Sequence, residues 1–317
     1  MGFNDIKSAE QEYFGVRKIK VHADYVGQRI DNFLLRELFG VPRSRIYRLL
    51  RKGEVRVNGG RIRPDYKLKG SDQIRIPPMR IPTKSIHLAP KKNIKKILDS
   101  IIYEDNEYLV INKPPGIAVH GGSGINHGVI ELLRLARPEL KNLSLGHRLD
   151  RATSGCLVLA KKRSALRMFH KHLREGLVDK KYSALVCGQW RLGNQLIDEP
   201  LLVKHRKNGE RHVIVNHAGK SAQTLMSLLE LFKNFSLMQC KLLTGRTHQI
   251  RVHSEYLGYP IAGDNRYGDS VINSNIKKTG LARLFLHAQY IAFPDRNDNE
   301  IVFEGPLSED LVLFLET

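Results

Sequence analysis

Gly146-His147-Arg148-Leu149-Asp150-Arg151-Ala152-Thr153-Ser154-Gly155 runs directly into the apolar stretch Cys156-Leu157-Val158-Leu159-Ala160. The apolar half reads as a strand, and the polar half as a loop that feeds it. Asp150 is the one carboxylate of that loop, set among His147, Arg148, Arg151, Thr153 and Ser154. Guanidinium groups and hydroxyl or backbone donors favour the ionised form of such a carboxylate. Ionised and facing a substrate, it could act as a nucleophile or general base at a sugar carbon. The same residues also suit a plainer loop, in which Asp150 caps a turn and the arginines bind phosphate. Spacing alone leaves both readings open.

On either side of this loop the pattern is mixed. Residues 107–112, 182–186 and 235–242 read as strands, and 127–137 and 163–175 as helices. Strands predominate without regular βαβ alternation, which predicts an α+β domain with a mainly antiparallel sheet. No internal repeat or low-complexity tract interrupts it.

The N-terminal fifth differs in charge. The whole chain of 317 residues holds 52 Lys or Arg against 32 Asp or Glu, a formal charge of +20. Residues 17–80 carry 17 of the cations and 6 of the acids, a net of +11 and more than half of the total. Charge gathered in this way marks a binding module for a polyanion, with nucleic acid as the leading partner class. Ile30, Phe33, Leu34 and Leu38 recur at helical spacing across 28–39, following Arg29. A second helix over 43–52 is stopped by Gly53, with Ile46, Leu49 and Leu50 inward and Arg43, Arg45, Arg48, Arg51 and Lys52 largely on the other surface. Val55 and Val57 alternate as in a half-buried strand, Asn58-Gly59 is a tight-turn signal, and 73–76 is a further strand. A solvated basic helical hairpin would show the same surface. Residues 81–99 read as a linker, within a proline- and lysine-rich run that begins at 77.

Composition narrows the setting. Hydrophobic residues at 41% suffice for a sizeable core. Cys156, Cys187 and Cys240 are odd in number, widely spaced and flanked by apolar residues, so they read as buried thiols in a reducing compartment. No signal-peptide run or apolar span of membrane length occurs, and a cytoplasmic protein without membrane association is the expectation. His248 and His253 lack companion Cys or carboxylate ligands, so no metal site is expected; those histidines suit orienting a loop or touching RNA.

Two resemblances sharpen the reading. Residues 27–34 (GQRIDNFL) and 44–59 (SRIYRLLRKGEVRVNG) resemble an S4-type RNA-binding module. HRLDRATSG at 147–155 resembles the HRLDxxTSG signature of the RluA-type pseudouridine synthases. Further blocks follow that family's order: 112–116 (NKPPG) with 119–122 (VHGG), 181–186 (KYSALV), 243–253 (LTGRTHQIRVH) and 283–288 (RLFLHA). This likeness covers residues 100–317, with the S4-like module at 17–80 ahead of it. It implies a cofactor-free isomerisation of uridine in RNA. It also implies Asp150 as the catalytic carboxylate, Tyr182 as the ring that stacks on the detached uracil, and Arg251 as the partner that keeps Asp150 ionised and aimed. Tyr182 is also a candidate for removing the C5 proton. His147 and Arg148 are placed to fill the gap left by an extracted base or to reorganise the loop. Arg151 and Arg246 are phosphate contacts, with the S4-like cations supplying backbone affinity. Additional stretches such as AKKRSALR (160–167) and RYGD (266–269) resemble the members that act on several uridines of 23S ribosomal RNA. The expected partner is therefore that RNA or a large-subunit assembly intermediate, met by a monomer, since nothing demands oligomerisation. Three rivals remain: a synthase for tRNA or another ribosomal uridine, a non-catalytic S4-type RNA-binding protein, and a glycoside hydrolase. The last ordinarily needs two cooperating carboxylates, where this motif supplies one.

Overall fold

The computed structural model describes residues 11–38, 41–82, 90–121, 127–140, 142–205 and 211–316. It divides into two compact units, residues 1–88 and 89–317.

In the first unit the chain forms β1 (Gln11–Phe14), β2 (Arg17–Lys20), α1 (Ile30–Glu37), α2 (Arg43–Lys52), β3 (Arg56–Val57), β4 (Gly60–Arg61), β5 (Gln73–Ile76) and β6 (Met79–Pro82). Its core joins Ile30, Phe33 and Leu34 of α1 to Ile46, Leu49 and Leu50 of α2, over Val55, Val57, Ile74 and Ile76. These are the side chains that helical and strand periodicity turn inward. Gly53 ends α2 in the left-handed region at φ 68°, a conformation that costs glycine no Cβ clash. The four strands order as β2-β5-β3-β4, with β1 paired to β6 separately.

The second unit opens with α3 (Lys91–Leu98), β7 (Ile101–Glu104) and β8 (Tyr108–Lys113), then α4 (Val129–Ala136), β9 (Ser144–Leu145), β10 (Ser154–Ala160) and α5 (Arg163–Glu175). It continues through β11 (Asp179–Cys187), β12 (Gln195–Asp198), β13 (Leu201–His205), β14 (Arg211–Val215), β15 (Gln223–Leu231), β16 (Phe235–Leu242) and α6 (Gln249–Tyr256). It closes with α7 (Ser270–Lys278), β17 (Leu286–Pro294), β18 (Glu300–Glu304) and α8 (Glu309–Leu315). A ten-stranded sheet runs β12-β15-β16-β11-β17-β10-β8-β7, with β18 added to β17 and β9 to β10; β13 and β14 form a separate hairpin. The α+β expectation holds, and among the described residues the sheet is antiparallel except where β10 meets β17. No described helix is long and apolar enough to cross a membrane.

β10 is buried along its whole length because both faces of the sheet are covered. Leu157 and Leu159 join one core with α3 and α4, whereas Cys156, Val158 and Ala160 join another with Phe169 of α5. Of the three thiols, Cys156 and Cys240 are buried and Cys187 is half-buried. The structure departs from the linker reading of 81–99 in its second half. Lys91–Leu98 is a helix that sets Ile94, Ile97 and Leu98 against the first of these cores, at a spacing the surrounding lysines and prolines obscure.

The join between β10 and β17 fixes where the loop that carries Asp150 ends. Gly155 has φ 111°, and a Cβ there would lie 2.2 Å from the carbonyl oxygen of Ala288. Gly155→Ala is therefore expected to destabilise the protein by about 3 kcal/mol or more, through both backbone strain and loss of close approach. Urea unfolding checks this, and a loss under about 1 kcal/mol would refute it.

Candidate active site

β9 and β10 form a hairpin whose long connection, residues 146–153, carries Asp150. The loop is pinned from several sides. His147 Nε2 accepts the Val158 N–H at 3.1 Å, and the Gly146 carbonyl meets His170 Nε2 at 2.9 Å. Arg151 donates through Nε to the Gly116 carbonyl, and the Gly116 N–H donates to the Arg151 carbonyl. Lys113, fully buried at the end of β8, donates to the carbonyls of Pro114 and Ile117 at 3.0 Å and of Arg151 at 3.4 Å. Burial pushes its amine down to about 7, opposed by the charge of Asp150, and three carbonyl acceptors match the three N–H groups of an ammonium. At the far end Ser154 Oγ lies 2.9 Å from His287 Nδ1 and accepts from Arg283, while His287 Nε2 donates to the Gly305 carbonyl. A loop tied this densely presents its carboxylate in one geometry.

Asp150 stands where two concavities meet. One is a cleft of about 240 Å³ lined by Tyr182, His147, Arg148, Lys180, Arg246, His248 and Arg251. The other is a groove of about 920 Å³ that shares Arg148, Asp150, His248 and Arg251 and extends over Arg151, Gly116, Asp264 and Arg266. The cleft falls below the roughly 300–1,000 Å³ of drug-sized pockets, which suits a single small ring, and the groove suits a longer ligand.

The expected trio of Asp150, Tyr182 and Arg251 comes together in this cleft, with one difference. Arg251 Nη1 is 3.7 Å from Asp150 Oδ2, an ion pair beyond hydrogen-bond length. Its fork goes instead to Asp264, with Nε and Nη2 each 2.7 Å from the two carboxylate oxygens. Burial opposes ionisation of Asp264, but the Arg251 fork and the N–H groups of Arg266 and Tyr267 outweigh it and hold the carboxyl below its usual range. Asp264 thus aims the arginine that faces Asp150. Sequence reading missed it, since its neighbours RYGD registered only as a likeness. Tyr182 is buried on β11, and burial followed by the charge of Asp150 raises its phenol well above the ordinary value. A phenol so held keeps its proton.

The remaining expected contacts divide. Arg148 is exposed and lines both concavities. Arg246 is exposed but hydrogen-bonded through Nε to the Ser221 carbonyl, and Arg151 is tied to Gly116 as above. His147 lines the cleft and also anchors the loop, with its Nε2 accepting from Val158 and its ring stacked on Phe169. In the first unit Arg29 is bonded to buried Asp31, and Arg43 donates to Tyr47, whose hydroxyl donates to the same Asp31. Among the described residues, Arg45, Arg48, Arg51 and Lys52 have no ion-pair partner.

Burial pushes the His147 imidazole down to about 3 and also lowers His253 and His287. These rings are neutral when folded but take up protons when unfolded, so stability is present at neutral pH and is lost as pH falls through about 6.5. His147 alone is expected to remove about 2 kcal/mol between pH 7 and pH 5. Urea unfolding at the two values measures it, and a pH-independent midpoint and slope would contradict the buried neutral rings.

The sequence pattern of the RNA pseudouridylate synthase family matches residues 107–256, and that of the S4 domain matches 28–74. The chain is 50% identical over 303 residues to the ribosomal large subunit pseudouridine synthase C of Haemophilus ducreyi, covering 95% of each. It is 49% identical over 304 residues to the protein of that name from Escherichia coli, covering 93% of this chain and 94% of the relative. Among solved structures, human RNA pseudouridylate synthase domain containing 4 superposes with a TM-score of 0.59 at 26% identity, covering 71% of this chain and 95% of that one. Human RNA pseudouridylate synthase domain containing 1 gives 0.57 at 26% identity, covering 68% and 86%.

Proposed function

Because this chain belongs to the RNA pseudouridylate synthase family, we propose that it isomerises several uridines of large-subunit 23S ribosomal RNA to pseudouridine, with Asp150 as the catalytic carboxylate. The observation that carries the reading is the placement of Asp150 between a cleft sized for one ring and a groove sized for a chain.

The reaction breaks the N1–C1′ bond, turns the uracil, joins C5 to C1′ and transfers the C5 proton, with no change in overall composition. Asp150 begins it either by attack on C1′, releasing uracil as its N1 anion, or by taking the 2′ proton to give a glycal. Tyr182 supplies a flat apolar wall on which the detached ring stacks while it turns. Its raised pKa supports that role over removal of the C5 proton, which needs a phenolate. Arg251 faces Asp150 Oδ2 from 3.7 Å while Asp264 fixes the direction of the guanidinium. Extracting the base from its stack costs a few kcal/mol, and Arg148, exposed at the cleft mouth, is the cation placed to fill the vacated space. The unpaired cations of α2 supply salt-sensitive affinity for the RNA backbone. The protein acts as a cytoplasmic monomer on free RNA or on an assembling large subunit. Residues 17–80 serve as the RNA-binding domain, 81–88 join it on, and 89–317, with α3 packed on its core, form the catalytic domain.

Pseudouridine mapping of 23S ribosomal RNA from cells lacking the gene, with and without the restored wild-type gene, tests the substrate. Loss of several modifications, regained on complementation, is expected. An unchanged ribosomal map would redirect the assignment to tRNA.

A further inference from the structure

Of the residues that face Asp150, His248 is held in the most constrained way and has no role in the steps above. It caps α6 from the left-handed region at φ 55°, ψ 22°, a conformation that strains a residue with a Cβ. Its ring lies edge-on to Tyr267, with Nδ1 2.7 Å from the Tyr267 hydroxyl. That hydroxyl also accepts the N–H of Val213, on β14, at 3.1 Å. The oxygen has lone pairs enough to accept from both, but among the described residues its own proton finds an acceptor only if it is donated to His248 Nδ1. Nδ1 is then the acceptor, and the imidazole proton sits on Nε2. Nε2 lies 3.7 Å from Asp150 Oδ2, the same oxygen that Arg251 Nη1 approaches at 3.7 Å. Among the described residues, Oδ1 of Asp150 has no partner.

We propose that His248 is a positioning residue: as the Nε2–H tautomer imposed by Tyr267, it holds Oδ2 of Asp150 together with Arg251 and leaves Oδ1 directed at the sugar. From 3.7 Å the Nε2–H points its positive end at Oδ2, an attraction that a site walled off from water strengthens. Burial, with Arg251 and Arg266 nearby, keeps the ring neutral despite the carboxylate, so the device orients Asp150 without protonating it. The strained backbone is what brings the ring between Tyr267 and Asp150 at the start of a helix. The inference rests on Asp150 being the catalytic carboxylate.

The test uses two substitutions with opposite geometry. A glutamine amide reaches the place of Nε2–H, whereas an asparagine amide reaches only that of Nδ1. With a 23S ribosomal RNA transcript tritiated at uridine C5, His248→Gln is expected to keep kcat within about fivefold of wild type. His248→Asn is expected to lower kcat by about 30- to 100-fold, with KM changed by less than about threefold. Equal kcat in the two variants, high or low, would overturn the proposal, as would an effect confined to KM, the mark of an RNA contact. The second arm needs no activity. In protein labelled with nitrogen-15 histidine, the ring spectrum of His248 is expected to show Nε2–H alone, and a mixture of tautomers in Tyr267→Phe. An Nδ1–H ring in the wild type would also overturn it. If the wild type releases no tritium, the assignment of reaction or substrate fails, and the tautomer still decides the role of His248.

Discussion

Asp150→Asn is expected to lower the rate of pseudouridine formation by about 10,000-fold or more, equivalent to about 5.4 kcal/mol of barrier. Binding of RNA should stay within about threefold of wild type. The amide keeps the volume of the carboxylate but can neither attack C1′ nor take the 2′ proton. Arg251 and His248 are both donors, so the amide turns its oxygen to them and puts its NH2, which has no lone pair for attack or proton abstraction, where Oδ1 stood. Among the described residues that line the cleft and groove no other carboxylate is free to substitute: Asp264 is the second acid, and both its oxygens are occupied by the Arg251 fork. Single-turnover kinetics with saturating enzyme separates chemistry from binding. A residual rate within about tenfold of wild type would remove Asp150 from the mechanism and leave an RNA-binding protein.

Asp264→Ala should cost about 3–5 kcal/mol of stability, the range for breaking one partner from a buried ion pair. Arg251 is only 8% exposed, so its guanidinium would be left desolvated beside one remaining carboxylate at 3.7 Å. The N–H groups of Arg266 and Tyr267 would lose their acceptor as well. Activity should fall with stability, because an Arg251 without its second partner no longer presents one nitrogen to Asp150. The double variant Asp264→Ala/Arg251→Met separates the two consequences, since removing both charges relieves the desolvation. It is expected to recover part of the stability and none of the activity. A single-variant loss under about 1 kcal/mol would show that the pair is not buried as the structure has it.

Much of the fold was legible because it rests on local period. The helix read over 43–52 is Arg43–Lys52, that read over 163–175 is Arg163–Glu175, and the strand read over 235–242 is Phe235–Leu242. The strand at 156–160 begins two residues earlier, since Ser154 and Gly155 pair with His287 and Ala288 across a contact that no local pattern encodes. α3 was hidden because its lysines and the prolines around it outweigh three apolar residues in any reading of composition. At the site, the resemblance named Asp150, Tyr182 and Arg251, and the fold brings them into one cleft. The arrangement around them was not legible. Arg251 meets Asp264 thirteen residues away, and His248 meets Asp150 ninety-eight residues away, through turns whose directions depend on tertiary packing. His147 is another case: beside Asp150 in sequence and lining the cleft, it also bonds Val158 and packs on Phe169, contacts that no local pattern announces.

The pairing of β10 with β17 also has a consequence for the nascent chain. Ser154 and His287 are 133 residues apart, and ribosomes add about 5–20 residues per second. β10 therefore waits on the order of ten seconds for its parallel neighbour to be synthesised, and pairing across such a separation is itself slow. The strands of the first unit pair within residues 11–82 and have no such delay. During translation the chain holds a finished S4 unit well before the loop that carries Asp150 is anchored, which happens only when residues 286–288 arrive.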